Sequence, residues 1–382
     1  MGKAYCVESS KNAVLKKSYV IESSKYVKLS KAYVVENGKY AKLWSASVPM
    51  FLSVGETYYR YKSVDGASWE KMPEPYDAYI RSTAYGGGYY YLLKCTYESS
   101  AYVFRIFRSE DCVTWTETCN FKDTSGSYGN AFLRYLNGKL FIVGGYQASA
   151  NNIWYSSDNG VTFTGTRYSV SSTGVSSGAI PLDFRYGTVN GSKGYYMILA
   201  ASSATHVVKW ASETSFTSSG TIIHSTTYKA DYGALILNND TLLFVLHSST
   251  GYVYFHTYKT ANTQVQSISG DLGAVCSAPS LALVHVGQSM YKFTTSGVTS
   301  VTGPAGKAYK RGFSSHHGAY GDGTFVMITG KASGNSSVYG IIYTRDNGAT
   351  WTVVTTLTDG SALGSTMDCI CYGDDYAGYY YK

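Results

Sequence analysis

A short string recurs along this chain at a nearly constant interval, and that interval restricts the folds available to it. The copies are SVDGASW (63–69), SEDCVTW (109–115), SSDNGVTF (156–163) and TRDNGATW (344–351), with aspartates at 65, 111, 158 and 346. The gaps between these aspartates are 46, 47 and 188 residues, and the last gap is four times 47. Three degenerate copies are therefore expected, in residues 206–217, 251–264 and 289–300, where an alternating strand precedes a polar turn.

The length of this unit predicts a β-propeller. A repeat of 47 residues with roughly four short strands matches one propeller blade. Seven such units nearly fill residues 48–382, so the predicted fold is an all-β, seven-bladed β-propeller. Six blades is the alternative, because the unit around residues 277–303 is short and weak.

Composition agrees with an all-β chain and excludes several other classes. Alternating runs such as YYYLLKC and TLLFVLH are frequent, whereas no window shows the apolar spacing of an amphipathic helix. No apolar stretch is long enough for a membrane-spanning helix, and the N-terminus lacks the apolar core of a signal peptide. The 7 cysteines are odd in number and follow no zinc-binding spacing, which favours free thiols in a reducing cytoplasm.

The first 44 residues contain a second repeat, with a period of 14. KAYCVESSKNAVLK (3–16), KSYVIESSKYVKLS (17–30) and KAYVVENGKYAKLW (31–44) each read as strand, tight turn and strand. Three small hairpins need a partner to be stable, through stacking, trimerisation or docking on another protein. Nine of the lysines lie here, but interleaved glutamates and the lack of arginine favour a solvated face over nucleic-acid binding.

The strings that recur about every 47 residues resemble the Asp box, S-x-D-x-G-x-T-W, of bacterial neuraminidase repeats. The Asp box is a marker of fold more than of function. By this resemblance each string is the turn between the third and fourth strands of a blade. The aspartate is expected to accept backbone hydrogen bonds, and the aromatic residue to pack between sheets. These structural residues are Asp65, Trp69, Asp111, Trp115, Asp158, Phe163, Asp346 and Trp351.

The resemblance also allows a test for a sialidase active site. Sialidases hold the substrate carboxylate with three arginines, and Arg81, Arg134 and Arg185 fall at similar positions on three consecutive first strands. These arginines either converge on an anion in the central channel or pair with neighbouring side chains. Arg105, in FRIF (104–107), lies on a third strand, and no acid/base and nucleophile set is recognisable. No catalytic residue, metal site or cofactor is therefore predicted.

The connections on the face opposite the Asp boxes are rich in Tyr, Ser, Asn and Gly. This mixture suits recognition, because tyrosine supplies rigid amphipathic area and the small polar residues supply adaptable hydrogen bonds. It also suits sugars, whose apolar faces stack on aromatic rings. The candidate ligand-binding residues, in addition to the three arginines, are Tyr97, Tyr102, Tyr128, Gln147, Asn151 and His317.

The hairpin units of residues 1–44 resemble short Lys/Tyr/Gly repeats at the head of many phage tail and other virion proteins. This resemblance implies a bacteriophage virion protein of the tail-fibre or receptor-binding type. Residues 1–44 would attach to other virion proteins, and the propeller would bind a host surface polysaccharide or glycoprotein, with a trimer as one available oligomeric state. No nucleic-acid binding or membrane insertion is expected. A sialidase-like hydrolase, a structural capsid or tail decoration protein, and a bacterial-surface or extracellular location are the alternatives.

The C-terminus is expected to close the ring. Residues 365–382 resemble the first two strands of a blade, and we expect them to pair with residues 56–69.

Overall fold

The structure is a computed structural model with two compact units, residues Met1–Val48 and Pro49–Lys382. It describes residues 19–22, 25–28, 31–36, 39–45, 49–55, 60–72, 80–123, 131–144, 153–166, 179–217, 220–304, 317–329, 340–363, 367 and 369–373. The helical structure in these ranges is a short 3-10 turn, Glu213–Ser215. No helix in the described residues is long and apolar enough to cross a membrane.

The described residues of the first unit form two antiparallel hairpins. Strand β1 (Tyr19–Glu22) pairs with β2 (Lys25–Lys28), and β3 (Lys31–Glu36) pairs with β4 (Lys39–Ser45). In both hairpins the register pairs a glutamate with a lysine beside the turn. The second and third 14-residue repeats thus form the predicted hairpins, while the first lies outside the described residues.

In the described residues of the second unit the strands form seven four-stranded antiparallel sheets, so the seven-bladed prediction is confirmed. Each sheet is one blade, and its strands follow in order from the innermost to the outermost. Blade 1 contains β32 (Cys369–Tyr372), β5 (Phe51–Val54), β6 (Arg60–Ser63) and β7 (Glu70–Lys71). Blade 2 contains β8 (Ile80–Gly86), β9 (Tyr89–Glu98), β10 (Ala101–Ser109) and β11 (Thr116–Asp123). Blade 3 contains β12 (Phe132–Leu136), β13 (Lys139–Val143), β14 (Ile153–Ser156) and β15 (Thr164–Thr166).

The remaining blades follow the same order. Blade 4 contains β16 (Ile180–Val189), β17 (Ser192–Ala200), β18 (Thr205–Trp210) and β19 (Thr221–Ser225). Blade 5 contains β20 (Ala230–Asn238), β21 (Thr241–Ser248), β22 (Tyr252–Tyr258) and β23 (Asn262–Ser269). Blade 6 contains β24 (Leu272–Ser277), β25 (Ala282–Val286), β26 (Ser289–Thr294) and β27 (Gly297–Val301). Blade 7 contains β28 (Gly318–Gly321), β29 (Thr324–Thr329), β30 (Gly340–Thr344) and β31 (Thr352–Val354).

The three degenerate copies of the repeat lie where the period predicted them. Strands β18, β22 and β26 are the third strands of blades 4, 5 and 6. The unit around residues 277–303, which suggested six blades, belongs to a complete four-stranded blade 6.

The ring closes through the C-terminal strand, although not with the pairing expected from the sequence. Strand β32 is the innermost strand of blade 1 and pairs with β5, from Cys369 opposite Val54 to Tyr372 opposite Phe51. The expectation that residues 365–382 pair with residues 56–69 is therefore wrong. Residues 374–382, where a further strand was expected, lie outside the described residues. The second strand is β5, whose four residues are all buried and show no alternation that would reveal a strand.

The core consists of seven hydrophobic clusters, one at each seam between neighbouring blades, as counted in the described residues. Second strands are covered on both faces, and in β21 all eight residues are buried. First strands of successive blades lie next to one another around the centre. Blade turns and first-strand side chains are therefore held on a closed, rigid ring.

Candidate functional site

The strand directions divide the propeller into two faces. The box face carries the turns between first and second strands and those between third and fourth strands, including residues 64–69, 110–115, 157–163 and 345–351. The opposite face carries the connections between second and third strands and those from one blade to the next.

The four repeat strings form turns on the box face, and in each turn the aspartate accepts backbone amides two to four residues later. In blade 3, Ser156 donates to Asp158 Oδ1 at 2.6 Å, and the same oxygen accepts the Val161 and Thr162 amides at 3.1 and 2.9 Å. Gly160 takes a φ of 82°, in the left-handed region where glycine is favoured. Hydrogen bonds from Ser156 and Thr162 hold the pKa of Asp158 well below its ordinary value. In blade 7, donors Thr344 and Thr350 lower the pKa of Asp346 to about 2.

These turns also join neighbouring blades. Arg345 Nη2 donates to the Asp65 carbonyl at 3.0 Å, and Arg108 Nη1 donates to the Asn159 carbonyl at 3.0 Å. The aromatic residue of each turn packs at a seam, with Trp69 and Trp115 buried and Phe163 and Trp351 partly buried. The carboxylates are thus occupied in turn formation, which gives these residues a structural role.

Two of the three candidate arginines meet at a buried aspartate. Arg134 donates from Nε and Nη2 to Asp183 Oδ1 at 3.2 and 2.6 Å, and Arg185 Nε lies 3.5 Å from Asp183 Oδ2. The Leu235 amide of the next blade donates to Asp183 Oδ2 at 2.9 Å. Burial and nearby Arg185 lower the pKa of Arg134 to about 10, against the opposing effect of Asp183. Asp183 therefore links blades 3, 4 and 5.

Arg81 lies at a bulge in β8, one blade before Arg134. Its neighbour Ser82 accepts the Leu133 amide at 3.0 Å, much as Asp183 accepts that of Leu235. Arg105 lies on the third strand of its blade, as expected, and pairs with Glu98 at 3.7 Å.

Tyr97 and Tyr102 come together on the opposite face. They are directly paired across β9 and β10, with ring centroids 4.9 Å apart. The two-residue turn between the strands, Ser99 and Ser100, has positive φ at both positions, which suits a tight hairpin. Tyr97 is 65% exposed. The pair is therefore a rigid aromatic surface open to solvent.

Of the four remaining candidate residues, the structure describes His317. His317 is buried just before β28, where its carbonyl accepts the Ile328 amide at 2.8 Å. Tyr128, Gln147 and Asn151 lie outside the described residues. Among the residues that the structure describes, no group of three or more His, Cys, Asp or Glu is placed to hold a metal ion.

Two residues on the propeller, Asp183 and Tyr252, were not predicted from the sequence. Asp183 was not recognised as the partner of Arg134 and Arg185, because 49 residues separate it from Arg134. Tyr252, which is 44% exposed on the opposite face, was also missed. The alternation GYVYFH at 251–256 was a sign that this tyrosine and Tyr254 share one side of a strand.

Comparison with known proteins identifies the fold. No protein-family model matches the chain, and no curated protein matches it. A Bacteroides uniformis ATCC 8492 structure provisionally named a 6-phosphogluconolactonase is 9% identical, with a TM-score of 0.56 over 85% of this chain and all of that chain. The structure of YjhT is 10% identical, with a TM-score of 0.44, over 74% of this chain and 99% of that one. The first likeness supports the propeller fold alone.

Proposed function

We propose that this protein is a bacteriophage virion protein that binds a host cell-surface glycan through the opposite face of its propeller. One observation carries the proposal. Among the described residues the exposed aromatic side chains are Tyr97 and Tyr252, and both flank connections on the opposite face. Each is supported by a second tyrosine, with centroids 4.9 Å apart for Tyr97–Tyr102 and 6.4 Å apart for Tyr252–Tyr254.

Such paired rings suit saccharides. An exposed tyrosine held by a neighbour offers apolar area to the C–H face of a sugar at a small entropic cost. Its hydroxyl group remains available to the sugar hydroxyls. Near Tyr97, Glu98 and Arg105 pair with each other at 3.7 Å.

The hairpin repeats support a role on the particle. Residues 17–30 and 31–44 form the hairpins expected of virion-type repeats. This favours attachment to the particle through residues 1–44, with the propeller free to bind the host.

A sialidase-like hydrolase is less well supported. Two of the three arginines that such a site would direct at a substrate carboxylate share Asp183. A purely structural decoration protein would not require exposed, paired tyrosines on one face.

The proposal is tested with the full chain and with residues 49–382 on a glycan array and on purified host cell-wall polysaccharide. Both proteins should bind the same glycan class, and the shorter one should fail to join the particle. Tyr97→Ala should weaken binding, whereas Val161→Ala, an exposed change on the box face, should leave it intact. Absence of glycan binding by both proteins, or equal loss from both substitutions, contradicts the proposal.

A further inference from the structure

Three tyrosines line the mouth of the seam between blades 4 and 5 on the opposite face. Tyr228 lies in the connection between these blades, and Tyr252 and Tyr254 lie on β22. The Tyr228 and Tyr254 rings stack with centroids 5.0 Å apart at 29°, and those of Tyr254 and Tyr252 are 6.4 Å apart at 38°. The rings thus follow one another from the seam to the exposed Tyr252.

The backbone around these tyrosines is held by hydrogen bonds. The Tyr228 carbonyl accepts from Thr226 Oγ1 at 2.5 Å and from Thr205 Oγ1 at 3.1 Å. The Thr226 hydroxyl also accepts the Thr205 amide at 3.0 Å, which ties the connection to β18. On blade 5, the Gly251 amide donates to the Ser248 carbonyl at 3.0 Å just before Tyr252. The rings are therefore pre-positioned, which reduces the entropy lost when a ligand binds.

The Tyr228 side chain has unused hydrogen-bonding capacity. Its hydroxyl is buried and makes no hydrogen bond to any residue that the structure describes. A buried hydroxyl without a partner is unfavourable, so a ligand hydroxyl that reaches it through the mouth of the seam would bind favourably. The exposed chain neighbours of the site, Lys229 and Asp231, carry opposite charges, so the surroundings favour an uncharged ligand over an anion.

We infer that Tyr228, Tyr252 and Tyr254 form a second saccharide-binding site, for a neutral oligosaccharide that stacks one sugar ring on the exposed Tyr252 and extends past Tyr254 toward Tyr228. This inference rests on the proposed glycan-binding function and extends it. Because Tyr97 and Tyr102 belong to blade 2, the propeller would bind one polysaccharide at two separate points, and the second contact would be intramolecular.

Saturation-transfer NMR tests the site with cellotetraose, chitotetraose and maltotetraose as probes of the full chain. We expect transfer to at least one tetrasaccharide, and an affinity loss of about tenfold for Tyr252→Ala, equivalent to about 1.4 kcal/mol. Tyr252→Phe keeps the ring and should bind normally. Tyr228→Phe should weaken binding while preserving the stacked rings. Urea unfolding of each variant separates loss of the site from loss of the fold.

The outcomes distinguish the inference from the function on which it rests. Partial loss in Tyr252→Ala and in Tyr97→Ala, with complete loss in the double variant, supports two sites. Normal binding by Tyr252→Ala with complete loss in Tyr97→Ala overturns the second site and leaves the proposed function standing. No transfer to any of the three tetrasaccharides overturns the second site and counts against glycan binding itself.

Discussion

At the scale of single residues, Met50 before β5 and Gly373 after β32 meet at one phenol group. Tyr90 of blade 2 accepts the Met50 amide at 2.7 Å and donates to the Met50 carbonyl at 3.1 Å. The Gly373 amide donates to the same carbonyl at 2.8 Å. A Cβ at position 373 would lie 1.6 Å from the Tyr90 hydroxyl oxygen, so glycine is required there. Burial raises the pKa of Tyr90 far above its ordinary value, and the phenol stays neutral.

Tyr90→Phe should therefore destabilise the ring by about 1–3 kcal/mol, since it leaves the buried Met50 amide without a partner. The matched control is the adjacent Tyr91→Phe. The Tyr91 hydroxyl is buried and makes no hydrogen bond within the described residues, so its removal should be neutral or stabilising. Urea unfolding followed by tryptophan fluorescence measures both variants. Equal destabilisation of the two variants would show that the hydrogen bonds between Tyr90 and Met50 do not contribute to the stability of the ring.

The buried charge cluster at Asp183 allows a second residue-scale prediction. Burial raises the pKa of Asp183, but Arg185 and Arg134 more than offset this effect and hold the pKa below its ordinary value. Asp183→Asn leaves buried Arg134 without its counter-charge and should cost about 3–5 kcal/mol. Adding Arg134→Met to Asp183→Asn should recover part of that loss, because the unpaired guanidinium is removed. A double-mutant cycle measures the coupling, and strictly additive losses would contradict it.

At the scale of secondary-structure elements, β19 and β22 bring two histidines together at the seam between blades 4 and 5. The His224 and His256 rings lie 4.5 Å apart, and His256 stacks on Phe244 of β21 at 4.8 Å. Burial, with a smaller effect of neighbouring His206, lowers the pKa of His224 to about 4. Burial and His224 lower the pKa of His256 to about 3. The seam is therefore stable with both rings neutral.

This arrangement of buried neutral histidines predicts that the folded state becomes less stable at acidic pH. Below the ordinary histidine pKa of about 6.5, the unfolded chain binds protons that folded His256 does not. Stability should therefore fall as the pH drops from about 6.5 toward 4, by up to about 1.4 kcal/mol per pH unit for this histidine. His256→Phe should lower the number of protons taken up on unfolding by about one, and the dependence of stability on pH should become weaker accordingly. His285→Leu, on blade 6, should reduce it independently, because burial lowers the pKa of His285 to about 4. An unchanged slope in His256→Phe would contradict the prediction.

At the scale of the whole molecule, the features that could be predicted from the sequence are those built from local contacts. The turn around Asp158 uses partners within four residues, so its motif and its spacing both appear in the sequence. The link from Arg134 to Asp183 crosses a blade boundary, and the Tyr228–Tyr254 stack joins two blades. Contacts of this kind depend on how neighbouring blades are placed and on how far a side chain reaches. The sequence therefore did not predict the partners in these contacts, nor the short buried strand β5.

Ring closure provides the last prediction. Strand β32 completes blade 1, and it contributes Cys369 to the seam with blade 2 and Ile370 to the seam with blade 7. A chain that ends at residue 366 loses β32, leaves β5 as an open edge and opens both seams. It should unfold at lower urea concentration, with a broader transition, and should be cleaved by trypsin within the propeller. A chain that ends at Gly373 keeps β32 and the contact to Met50, so it should be clearly more stable than the chain that ends at residue 366. If the two truncated chains are equally stable, the C-terminal strand does not close the ring.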